Sequence, residues 1–158
     1  MPFMRSAHLV LLAVLVAVVG FGCQQAKTVE GKWRVTGAQL PAGASNGTVV
    51  AELQGGTAKM TVQADLPGGA GSIALNCSGT YTYENETLTT QFGDVELDTS
   101  KVDGAQRPVI EALAPQIKSQ VAEAAKKAQT SKVTWQTPDS FTVTVDGNTN
   151  TFTRYKGE

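Results

Sequence analysis

The chain has 158 residues, a formal net charge of −1, 41% hydrophobic residues and only 17% charged ones. That length suits one domain, and the balanced charge argues against a nucleic-acid binder, which needs clustered Lys and Arg to displace counterions. The single histidine, His8, falls in a segment read below as removed. The remaining chain has no imidazole for a Ser-His-Asp triad, a Cys-His pair or a His-ligated zinc site.

One cation, Arg5, precedes an apolar run from Leu9 to Val19, which Gly20, Phe21, Gly22 and Cys23 follow. About a dozen apolar residues match a secretory signal and fall short of the roughly 20 that span a bilayer. Residues 1–22 are therefore expected to be a signal peptide, 23–30 a tether and 31–158 the domain. Gly22-Cys23 after such a run resembles the lipobox of bacterial lipoproteins. The resemblance implies acylation of the Cys23 thiol, and Gln24 in place of Asp implies the outer membrane, facing the periplasm, if the cell is Gram-negative. An ordinary secreted chain is the alternative. Three acyl chains exceed the two signals that stable anchoring requires. Loss of Arg5 makes the net charge more negative, so the lipid and not charge would bind the membrane. Fully extended, the tether reaches only about 25 Å, at ~3.3–3.6 Å per residue.

Period-two alternation dominates the chain from Gly31 onward. GKWRVTG sets Trp33 and Val35 on one face; GTVVAEL and TAKMTVQA follow across the turn signal Gln54-Gly55-Gly56, with Met60 and Val62 inward. DLPGGAG (65–71) reads as a loop. SIALNCSGTYTY then alternates Ile73, Leu75, Cys77, Tyr81 and Tyr83, with Gly79 marking a bulge or bend. After Glu84-Asn85-Glu86 come Leu88 and Phe92, then Val95 and Leu97. KVTWQT presents Val133 and Trp135, DSFTVTV presents Phe141, Val143 and Val145, Asp146-Gly147 opens a hairpin, and NTFTRY closes with Phe152 and Arg154. The fold class predicted is mainly β: an antiparallel meander or barrel of eight to nine strands.

One amphipathic helix, about 107–129, interrupts the meander. Val109, Leu113, Ile117 and Val121 form its stripe, which is expected to be buried on the sheet or across a barrel end. Pro108 suits the first turn, whereas Pro115 predicts a kink or a break.

Gly31-Lys32-Trp33, Gly79-Thr80-Tyr81, Thr87-Leu88-Thr89 and Phe152-Thr153-Arg154 together resemble small bacterial lipoproteins with lipocalin-like domains, of the calycin type. The resemblance implies a barrel closed by Trp33 and Arg154, non-enzymatic, with an aromatic set (Trp33, Tyr81, Tyr83, Trp135, Phe141 and Phe152) that would line a cavity for a small apolar ligand or else form the core. Cys77-Ser78-Gly79-Thr80-Tyr81 is similar to the Ser-Gly-x-x-Tyr motif of lysozyme-inhibitor lipoproteins. The other expectation is a structural or protein-interaction module of the envelope, which includes a lysozyme-inhibitor-like role.

Cys77, left alone if Cys23 is acylated, reads as a buried apolar thiol, since no nearby cation lowers its pKa. Asp94, Glu96 and Asp98 share one strand face, either as a cation site or as a solvated edge that discourages strand addition. The latter is the expectation, with no metal, no cofactor and no catalytic residue. Three Asn-x-Ser/Thr sequons, at Asn46, Asn76 and Asn85, are read as coincidental in a bacterial envelope protein.

Overall fold

The computed structural model describes residues 26–38, 40 and 46–157. Cys23 and the signal segment lie outside the described residues. Eight strands run in chain order: β1 (Gly31–Thr36), β2 (Asn46–Gln54), β3 (Thr57–Asp65), β4 (Ser72–Glu84), β5 (Thr87–Asp98), β6 (Gln129–Thr137), β7 (Ser140–Val145) and β8 (Asn148–Arg154). Every strand pairs antiparallel with its neighbour in sequence, and β1 pairs with β8, closing the sheet into a barrel. One helix, α1 (Arg107–Ala125), lies between β5 and β6.

Local chemistry sets the hairpins. Gly55-Gly56, Asn85-Glu86 and Asp146-Gly147 all have positive φ at both central positions, the geometry whose twist matches the flanking strands in a two-residue turn. Inward positions along β1 to β4 carry Trp33, Val35, Val49, Ala51, Leu53, Ala58, Ile73, Leu75 and Cys77, all buried. Ser78 pairs with Asp94 and Gly79 with Phe92, so Gly93 is the extra residue of a bulge in β5. A Cβ on Gly79 would collide with the Gln91 carbonyl oxygen and with Phe92 Cα, so the strands approach there only because glycine has no side chain. The bulge shifts the inward set from Leu88, Thr90 and Phe92 to Val95 and Leu97, and it leaves Asp94, Glu96 and Asp98 exposed.

The barrel core begins earlier than position 31. Val29 is 1% exposed, and its carbonyl accepts a 2.8 Å hydrogen bond from Trp33 Nε1. Val29 and Glu30, expected in the tether, therefore belong to the packed domain.

The helix departs from expectation in two ways. It ends at Ala125, because Gln129 already opens β6 in register with Thr90. Pro115 lies inside it and is exposed, and having no N–H it leaves the Glu111 carbonyl without its helical donor. Its docked face is Ile110, Ala114, Ile117, Val121 and Ala125, all half-buried, whereas Val109 and Leu113 are 55% and 45% exposed. The small Ala114 and Ala125 let the helix lie close along β5. There it covers an open edge, since β5 pairs with β6 only over Thr87–Thr90, and an uncovered edge would invite strand addition. Ile110 also packs on a small cluster of Ala64, Ile73 and Val102.

Ile117→Asp is expected to destabilise the barrel by about 1–3 kcal/mol, because it places a carboxylate in the helix–β5 contact. Leu113→Asp should leave the melting temperature within about a degree, as surface changes usually do. Thermal unfolding of the two variants side by side checks which stripe is docked.

Candidate functional site

At the end of the barrel carrying the chain start, large side chains form a closed floor. Trp33 is 0% exposed and meets Phe141 edge-on, with ring centroids 4.7 Å apart. Phe141 stacks on Phe152 at 4.7 Å and 11°, and Trp135 touches both Trp33 and Phe141. The polar tips of the other ringed residues find side-chain partners: Trp135 Nε1 donates to Tyr83 Oη at 3.0 Å, and Tyr81 Oη donates to Glu30 Oε1 at 3.1 Å. Burial and the Glu30 carboxylate both push the Tyr81 phenol upward.

Arg154 seals this floor. Its guanidinium carbon sits 4.0 Å from the Trp33 ring centroid, while Nη1 donates to the Glu30 carbonyl at 2.8 Å and Nε donates to Asp139 Oδ1 at 3.4 Å. Gly31, at φ +127°, makes the room, because a Cβ there would overlap Arg154 Nη1. The guanidinium thus joins the first strand, the last strand, the entering chain and the β6–β7 turn.

Above the floor the inward residues are smaller, and a lumen of about 120 Å³ remains. Val35, Val49, Ala51, Leu53, Met60, Leu88, Phe92, Val143 and Phe152 supply its apolar wall; Lys59, Thr90, Gln129, Ser131 and Asn150 are its polar or charged residues. Ser131 is buried, and Asn150 Oδ1 is buried without a hydrogen-bond partner.

The six aromatics expected to line a cavity are therefore divided. Phe152 lines the lumen, whereas Trp33, Tyr81, Tyr83, Trp135 and Phe141 are absent from its wall and pack in or against the floor cluster. The reason is depth along the barrel axis. Rings at the β1 start, the β4 end and the β6–β7 turn all converge at one end, where they fill the cross-section. The lumen residues that sequence reading did not single out, such as Ala51, Leu53 and Ser131, carried one available signal: small or aliphatic side chains at inward positions. Glu30 carried none, since its carboxylate meets Gly55 N–H and Tyr81 only through folding.

Cys77 is buried and free, and burial pushes its thiol pKa up. Asp94, Glu96 and Asp98 face solvent, and the Ser100 backbone and side chain hold Asp98 below its ordinary value. Among the described residues no cluster of three or more His, Cys, Asp or Glu is arranged to hold a metal ion.

A closed eight-stranded up-and-down barrel with a packed floor and one lateral helix is a lipocalin-like fold. A solved lipocalin-like protein from Bacteroides uniformis is 14% identical with a TM-score of 0.45, over 80% of this chain and 97% of that one. A solved protein from Bacteroides eggerthii is 16% identical with a TM-score of 0.42, over 80% and 98% respectively. No family model matches the sequence, and no curated protein matches it significantly.

Arg154→Lys keeps the charge but cannot cover the indole plane while reaching two oxygens. It is expected to cost about 1–3 kcal/mol, from the lost cation–π contact and one lost hydrogen bond. Urea unfolding followed by Trp fluorescence measures it.

Proposed function

We propose that this protein is a lipid-anchored lipoprotein of the bacterial envelope whose barrel holds one small apolar ligand in its lumen. The observation that carries the reading is the apolar lumen of about 120 Å³ above a sealed floor. Drug-sized ligands occupy pockets of about 300–1,000 Å³, whereas an apolar cavity of about 150 Å³ holds benzene. The fitting occupant is thus a single ring or a short chain segment. The anchor rests on the apolar run and Gly22-Cys23. Lipidation at Cys23 would place the barrel close to the bilayer, because packing already starts at Val29.

A second reading, a protein-interaction module, draws on Val109 and Leu113, which α1 presents to solvent. Loss of a co-purifying envelope protein in Leu113→Asp, with lumen binding intact, would favour it.

Toluene added to methyl-labelled full-length protein in nanodiscs should shift the Leu88, Met60 and Val143 methyl signals, with a Kd on the order of 0.1–1 mM. Ala51→Phe, which fills the lumen, should abolish those shifts. Unmoved lumen methyls at saturating toluene would remove the ligand reading. Separately, Cys23→Ser should eliminate the detergent-phase fraction of the expressed protein. Unchanged partitioning would count against the anchor.

A further inference from the structure

The charges of the barrel wall are sorted by side and by end. Trp33 and Val35 point inward, so alternation turns Lys32 and Arg34 outward, and both are exposed. Arg154 turns onto Trp33 at the floor, and Tyr155, next in the chain, lies against the outer wall of β1. Its N–H donates to the Lys32 carbonyl at 2.8 Å. Its ring centroid is 5.6 Å from Lys32 Nζ and 5.4 Å from the Arg34 guanidinium carbon. Lys27 and Lys156 are exposed in the segments that enter and leave the floor at β1 and β8.

The carboxylates nearest this arc do not neutralise its lysines. Glu30 accepts from Gly55 N–H and the Tyr81 hydroxyl, and Asp139 is paired with Arg154. Glu52 stands opposite Lys32 in the β1–β2 register, yet Lys27, Lys32 and Lys156 form no ion pair among the described residues. The β4–β5 turn lies across the barrel from β1 and β8. It carries Glu84 and Glu86, with Lys132 nearby on β6 in register with Thr87. The far end of the barrel sets Asp65, Glu96, Asp98 and Asp103 against Lys101 and Arg107.

The basic arc sits where the chain enters. Residues 24–28 are all that separate Cys23 from the buried Val29. An acyl anchor at Cys23 therefore holds the floor within about 20 Å of the bilayer surface, at ~3.3–3.6 Å per residue. That reach allows many tilts, because it exceeds the Debye length of ~8 Å at physiological ionic strength. Tethering also keeps the lipid surface at high effective concentration, so a weak local attraction suffices to select one tilt. Lysine and arginine beside an anchor are drawn to anionic headgroups, and tyrosine rings favour the headgroup level.

Resting on the Cys23 anchor proposed above, we propose that Lys27, Lys32, Arg34, Tyr155 and Lys156 form a docking face for anionic phospholipid that seats the barrel on the bilayer by its β8–β1 side. The β4–β5 turn with its two glutamates then lifts away, and the acidic far end points from the membrane. Acylation binds the protein; this face orients it.

The full chain, purified with its anchor, is placed in nanodiscs of phosphatidylcholine alone or mixed with phosphatidylglycerol. Each disc carries a gadolinium-chelate lipid, and the paramagnetic relaxation of backbone amides is recorded. In the mixed discs the Lys32 and Tyr155 amides should relax at least about threefold more than those of Glu84 and Glu86, because the attraction acts only within about a Debye length. The difference should fade in pure phosphatidylcholine. Lys32→Gln combined with Lys156→Gln should erase it at unchanged melting temperature, since both side chains are exposed. Equal relaxation on the two sides, the same asymmetry in pure phosphatidylcholine, or an asymmetry indifferent to the double substitution would overturn the proposal and leave the anchor standing. A chain retained on neither disc would remove the anchor and this proposal together.

Discussion

The stack of Arg154 on Trp33 is the contact on which the architecture depends, because it stands where the first and last strands must meet for the sheet to close. A cation over an indole contributes about 0.5–2 kcal/mol, and here the same guanidinium also engages the Glu30 carbonyl and the Asp139 carboxylate. Gly31 is part of the device, since any side chain there would occupy the space of the guanidinium. Trp33 in turn holds the entering chain through Val29. Glycine, tryptophan and arginine, 123 positions apart at the extremes, therefore form one steric and electrostatic unit.

Closure at one end shapes what happens above it. The cross-section at the floor is filled by Trp33, Phe141, Trp135 and Phe152, and this is ordinary core packing with edge-to-face and stacked rings. Further along the axis the inward residues include the smaller Val49, Ala51 and Val143, and space remains between them. The lumen is thus the consequence of a gradient in side-chain volume, not of a separate structural element.

The early end of the β6–β7 ladder and the brief β5–β6 ladder give the barrel one weak flank. Helix α1 lies along that flank with a face of Ile110, Ala114, Ile117 and Val121, which covers an edge that would otherwise be open to strand addition. Its placement leaves the lumen free, unlike a helix docked across a barrel end. Val109 and Leu113 are left outward because the helix has a narrow support in one strand and cannot bury its whole apolar arc.

Much of this was legible residue by residue. Alternation along GKWRVT, TAKMTVQA and SFTVTV assigned strands and their inward faces, because successive side chains in a strand point to opposite sides. Asp146-Gly147 and Gly55-Gly56 announced their hairpins, and the outward carboxylates of β5 followed from the same period. The pairing of Gly31-x-Trp33 with Arg154 came from a family likeness and not from spacing. The rotation of α1 was not legible: Val109 and Ile110, or Leu113 and Ala114, are adjacent apolar pairs, and either stripe satisfies helical periodicity until β5 selects one. Nor did the pattern separate floor from lumen, since alternation states which face a side chain occupies and says nothing of its depth along the barrel axis. Local rules, acting over two to four residues, determined strand, turn and face. Depth, the docked side of the helix and the meeting of Glu30 with Tyr81 depend on contacts between separate elements, 35 positions apart for Gln91 with Lys126 and 51 for Glu30 with Tyr81, and those exist only in the folded barrel.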